Sequence, residues 1–159
     1  MSKKLYLSIG LIIFSVFILL CDISLSYKCA EDYGFRIKGK LVGWGIPKQK
    51  VMELLGYPHT VKENDEIYYG YDIKMYYENN GEEDLVFIIT AFGKSKVPTE
   101  RGIRIGDSYS KVRKFYGKST KITKGKDGNI FVWYGVARPE FGINKHKKVT
   151  TIEYMGCAL

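Results

Sequence analysis

A chain of 159 residues that is 45% hydrophobic has enough apolar side chains for one core, and it is too short for more than one ordinary domain or two very small ones. Its formal charge of +8 comes from scattered lysines and arginines, a pattern that does not argue for nucleic-acid binding and points instead to anionic polymers, lipid head groups or acidic proteins. Two histidines and three cysteines, none of them at ligand spacing, leave no zinc site.

Residues 1–26 read as an address. Lys3 and Lys4 precede an uncharged run over residues 5–20, and Ser24 and Ser26 put small residues at the two positions a signal peptidase inspects. The pattern predicts a signal peptide. A retained membrane anchor is the alternative, because residues 5–21 stand at the short edge of a bilayer span. Cys21 occupies the place of a lipoprotein cysteine, although Ile18, Leu19 and Leu20 before it suit a lipobox poorly. Lipidation there would tether the protein by acyl chains. Loss of residues 1–26 lowers the net charge by one and leaves a chain of single-domain size.

Residues 27–43 form an N-terminal arm in which residues 33–41 would either add an edge strand or lie ordered along the surface. Beyond the arm the chain repeats a phrase. Residues 45–56 and 106–117 superpose without a gap, 61 positions apart, on Gly, Lys, Val, two large apolar residues and Gly, the mark of a duplicated unit. Each phrase predicts a short helix. Pro47 starts the first, with Val51, Leu54 and Leu55 on one face. Asp107 or Ser108 caps the second, with Val112, Phe115 and Tyr116 as its stripe. Gly56 and Gly117 end them in the left-handed position.

Extended segments follow each helix, at residues 67–71, 73–78 and 85–92 and again at 130–136, 140–143 and 148–155. Asn79, Asn80 and Gly81 make a hairpin turn in the first set. Tyr69-Gly70 matches Tyr134-Gly135. Alternation places Phe87, Ile89 and Ala91 inward, and Thr150, Ile152 and Tyr154 inward against Val149, Thr151 and Glu153. The expected fold is α+β: a duplicated helix-plus-three-strand unit forming one twisted antiparallel sheet with helices packed on one face. Residues 44–92 and 103–157 are the two repeats, sharing one core, and residues 93–102 connect them.

In an oxidising compartment thiols pair. With Cys21 removed or lipidated, Cys29 and Cys157 remain at the two extremes of the domain and are expected to form a disulfide, contributing about 4–5 kcal/mol in the chain-entropy picture. Two separate thiols are the alternative. His59 in a post-helix loop and His146 in the basic run 145–148 have no nucleophile beside them, so no catalytic residue, metal ligand or cofactor is expected. Glu63, Asp65 and Glu66, and Glu82, Glu83 and Asp84, read as solvated turns. The aromatic excess is more informative: 13 Tyr, 8 Phe and 2 Trp suit a recognition surface. Tyr68, Phe131 and Trp133 fall in the register opposite Ile67, Tyr69, Val132 and Tyr134. If the second set is core, the first lines the open face as the candidate binding residues; otherwise the aromatics simply fill strands.

A tandem unit of short helix and antiparallel strands, each opened by Gly-x-x-x-x-x-Val-x-x-x-x-Gly after an export signal, resembles the β-lactamase-inhibitor-protein-like superfamily over residues 41–157. That group also contains the SmpA/OmlA (BamE-like) lipoproteins. The resemblance implies a concave sheet face that grips a partner with aromatic side chains. Three strands per repeat instead of four, and the poor lipobox, are departures, and inhibition of a β-lactamase is not carried over. The expectation is an exported, extracellular or cell-envelope, non-catalytic protein-interaction module, binding or inhibitor-like, and not an enzyme. One alternative is a membrane-tethered assembly or structural lipoprotein subunit; a more remote one is a small hydrolase with an unrecognised site. The partner would be a protein or an envelope polymer, with the membrane engaged through the N-terminal segment if that is uncleaved or lipidated, and no nucleic acid.

Overall fold

β-Branched and aromatic residues fill the stretches that follow each helix, and in the computed structural model they form a sheet far wider than the helices that cover it. The structure describes residues 33–68, 70–135 and 138–156. The expected signal peptide or anchor, Cys21 with its lipidation, and the Cys29–Cys157 pairing lie outside the described residues. Among those residues no helix is long and apolar enough to cross a membrane.

Strands β1 (Phe35–Ile37) and β2 (Lys40–Val42) pair as a hairpin, and helix α1 (Lys48–Leu55) follows. Next come β3 (Thr60–Lys62), β4 (Asp65–Tyr68), β5 (Ile73–Asn79) and β6 (Asp84–Ala91). After the connector, helix α2 (Tyr109–Tyr116) leads into β7 (Lys121–Lys124), a 3-10 turn at Lys126–Gly128, β8 (Ile130–Trp133), β9 (Glu140–Ile143) and β10 (Val149–Met155). The main sheet runs β3-β4-β5-β6-β10-β9-β8-β7, antiparallel throughout.

The helix-plus-three-strand unit is therefore overturned. Eight strands form one sheet, β1 and β2 form another, and each helix is followed by four strands. The two missed strands, β3 and β7, are the sheet edges. Every residue of both is exposed, so neither buries a face and neither shows an apolar period; lysines at Lys62, Lys121 and Lys124 are what an edge uses to discourage further pairing.

Val51 and Val112 are fully buried and bring the helices onto the side of the sheet that carries Ile73, Met75, Ile89, Ile152, Phe141 and Val132. Ser108 caps α2 by accepting from the Lys111 N–H at 3.2 Å, while Pro47 stands at the cap position of α1. Phe115 is 43% exposed, so the α2 stripe is Val112 and Tyr116 alone. Gly56 and Gly117 do take positive φ, +83° and +77°, but with extended ψ rather than the left-handed helical value.

Two bulges correct the inward sets. One opposite Tyr76 and Tyr77 lets Val86 and Ile89 both face the core, which turns Phe87 outward against the Tyr76 ring at 6.3 Å. Another at the start of β10 buries Val149 and leaves Thr150 exposed. An extra residue shifts the two-residue side-chain period by one. The arm lies as a hairpin against the connector, with the Arg36 N–H on the Pro98 carbonyl at 2.8 Å and the Phe35 ring edge-on to Tyr154 at 5.2 Å. Glu100 of the connector accepts from Tyr116 at 2.8 Å and from the Tyr154 hydroxyl, joining connector, α2 and β10.

Candidate functional site: the open sheet face

Because directly paired residues of antiparallel strands share a face, the register places one residue from every strand in a single row on the side away from the helices. The row is Thr60, Ile67, Lys74, Thr90, Glu153, Glu140, Trp133 and Lys121. A second row begins Asp65, Tyr76, Ile88 and Met155, and Phe131 stands one step from Trp133 on the same face, 39% exposed. Both helices and the β1–β2 hairpin pack on the other side, through Val51, Val112 and Phe35.

Charge is unevenly distributed along the first row. Lys74 reaches Asp65 at 3.4 Å, and the Thr90 hydroxyl donates to Glu153 at 3.0 Å. Glu153 and Glu140 are direct cross-strand neighbours with the same sign. Burial, then the Glu153 charge, raises the Glu140 carboxyl above its ordinary value, and Lys121 at the row's end pulls it partly back. The face thus offers two side-by-side carboxylates flanked by Trp133 and Phe131.

The candidate residues separate. Phe131 and Trp133 lie on the open face, Trp133 half-buried next to Glu140. Tyr68 does not join them: it is 1% exposed, on the helix side of the sheet. Its hydroxyl donates to Glu66 at 2.9 Å, and the other oxygen of Glu66 meets Lys48 at 2.6 Å. The cause is a slip of one residue. Matching Tyr69 to Tyr134 assigns Tyr68 to the outer set, whereas the ladders make Ile67 and Trp133 equivalent members of one row and bury Tyr68 with Tyr134. A one-residue shift flips every side chain. Glu66, expected in a solvated turn, is 2% exposed. Glu140, Lys74 and Tyr76 were missed as members of this face, since only strand order makes them neighbours of Trp133.

Asp65 and Asp84, expected in solvated turns, instead open β4 and β6, while the other candidates stay in turns. His146 donates its N–H to Asn144 at 3.0 Å within the turn before β10, and Asn80 accepts from the Glu82 and Glu83 N–H groups. Among the described residues no cluster of acidic, histidine or cysteine side chains suited to a metal occurs. No family model matches the chain, and no curated protein matches it. Among solved structures the chain is similar to a DUF4309 family protein (YjgB) from Bacillus subtilis subsp. subtilis str. 168, at 15% identity with a TM-score of 0.50, covering 84% of this chain and 93% of that one; at this identity the likeness is one of fold.

Proposed function

We propose that the protein is an exported, non-catalytic binding module that captures a protein partner on the open sheet face, the partner seating a lysine or arginine over Glu140 and Glu153. Apolar side chains of the same partner would cover Ile67, Phe131 and Trp133. The observation that supports this reading is the acid pair at the middle of a row spanning all eight strands. Burial and then the Glu153 charge raise Glu140, and a partner's cation offsets both by favouring the ionised carboxylate, in a half-buried setting where charge complementarity selects the partner. Export is supported by the pattern of residues 1–26.

The test couples crosslinking capture of a partner to variants of this face. Trp133→Ala should weaken capture by about 2 kcal/mol or more, as loss of an aromatic anchor does, and Glu140→Gln with Glu153→Gln should abolish its dependence on salt. Melting temperature should stay nearly unchanged in both. Binding should weaken as pH falls through the carboxylate range, because the bound state favours ionised Glu140. Capture that survives both variants, or a Trp133→Ala protein that loses several kcal/mol of stability as a core truncation would, defeats the reading.

A further inference from the structure

On the helix side of the sheet, at its β7 edge, a pocket of about 340 Å³ is lined by Tyr109 and Arg113 of α2 and by Lys118, Ser119, Thr120 and Lys121 leading into β7, with Ile122 beyond. Its cations have no carboxylate inside the pocket. Among the described residues neither Arg113 nor Lys118 is within ion-pair distance of an acid, and the acid that acts on Lys121, Glu140, belongs to the open face. Thr120 donates its N–H to the Trp133 carbonyl at 2.9 Å. Since Lys121 pairs with Trp133, the same register sets Thr120 opposite Tyr134.

Tyr134 makes this more than a basic patch. It is 4% exposed, its ring is packed on Tyr116 and Phe141 at 5.4 and 5.9 Å, and its hydroxyl has no hydrogen-bond partner among the described residues. A buried hydroxyl without a partner is costly, so native proteins seldom retain one. Burial first, then Tyr109, with Arg113 acting against them, leave its pKa pushed up to about 12; the two groups that act on this hydroxyl are walls of the pocket.

The first half of the sheet shows what is missing. There Tyr68 occupies the place that Tyr134 occupies in the second half, and its hydroxyl is satisfied by the buried carboxylate of Glu66, which also takes Lys48. The residue two before Tyr134 is Val132, fully buried, so the second half has the tyrosine and the cations but no internal anion. We propose that the pocket binds a phosphate-type oxyanion, which accepts from the Tyr134 hydroxyl and pairs with Arg113 and Lys118, supplying from outside what Glu66 supplies within. A guanidinium fork and a hydroxyl donor suit a multi-oxygen anion better than a halide.

The test uses the full chain. Inorganic phosphate, at fixed ionic strength against chloride, should raise the melting temperature of the parent. Tyr134→Phe should weaken phosphate binding about tenfold, and Arg113→Gln by at least as much. In phosphate-free buffer Tyr134→Phe should be as stable as the parent or more so, since it removes a buried hydroxyl that bonds to nothing. A parallel arm measures sedimentation with vesicles of phosphatidylglycerol in phosphatidylcholine. Vesicle binding lost in both variants, without a response to free phosphate, supports the same site with a lipid phosphate as its source. No response to either probe, or responses that both variants retain, overturns the proposal.

Discussion

The two halves of the sheet solve one packing problem in opposite ways. In the first, α1 and β3–β6 bury Tyr68 with the carboxylate of Glu66, which also takes the part-exposed ammonium of Lys48, so the hydroxyl is satisfied within the fold. In the second, α2 and β7–β10 bury Tyr134 beside Val132 and leave the cations Arg113 and Lys118 at the rim of a pocket. One position, Glu66 against Val132, decides whether the anion is part of the chain. The open face differs in the same spirit: its row carries Lys74 next to Thr90 in the first half and Glu140 next to Glu153 in the second. Similar backbones thus leave specificity to a few side chains that the backbone order brings together.

The comparison breaks most visibly at Glu66. Glu66→Val should cost about 3 kcal/mol in chemical denaturation, because Tyr68 then loses its acceptor and Lys48 its partner in a nearly dry site. Lys48 is 34% exposed and can turn to water, which keeps the figure below that of a fully buried pair. A loss under about 1 kcal/mol would mean the first half is not closed by this carboxylate.

The seam between the halves comes next. Tyr154→Phe removes one of the two tyrosine hydroxyls that hold Glu100, whose side chain is 9% exposed, and should cost about 2 kcal/mol. An unchanged stability would show that Glu100 does not tie the connector to the sheet.

Alkaline unfolding gives a smaller, graded signal. Burial raises the hydroxyls of Tyr68, Tyr77, Tyr116, Tyr134 and Tyr154 above their ordinary range. A group raised in the folded state is protonated there while the unfolded chain already ionises, so its contribution is whole below about pH 10 and is lost as pH rises beyond. Stability should fall from about pH 10 upward, and for Tyr134 the loss should run to about 12. A profile flat to pH 12 would contradict the burial of these hydroxyls.

The finest test transplants one half into the other. Val132→Glu with Tyr109→Lys rebuilds the carboxylate and ammonium of the first half beside Tyr134. It should abolish the response to phosphate while costing less stability than Glu66→Val. A phosphate response that persists would show that the two tyrosines are not equivalent.

Local chemistry determined a good deal of this protein. The glycine-bounded phrases announced both helices, since a single turn-by-turn stripe beginning at Val51 or Val112 needs only neighbouring residues to be seen. The cores of five strands were legible for the same reason: β9 matches residue for residue, β5, β6 and β10 differ only at their ends, and β8 fills the first four residues of the segment expected at 130–136, whereas the segment expected at 67–71 shares only Ile67 and Tyr68 with β4. Phe131 and Trp133 could be placed on a common face because alternation within one strand is local. What tertiary structure alone decided is whatever depends on a partner strand. The exposed edges β3 and β7 carry no apolar signal, because nothing covers them. The bulges at Tyr76 and at Val149 are set by mismatched lengths across a ladder. The burial of Tyr68 follows from a register that only pairing with Ile73 fixes, and the adjacency of Glu140 and Glu153 exists only because β9 pairs with β10. Helices record themselves in consecutive residues; a sheet is completed between residues far apart in the chain, and the surfaces it makes are written in that order rather than in the sequence.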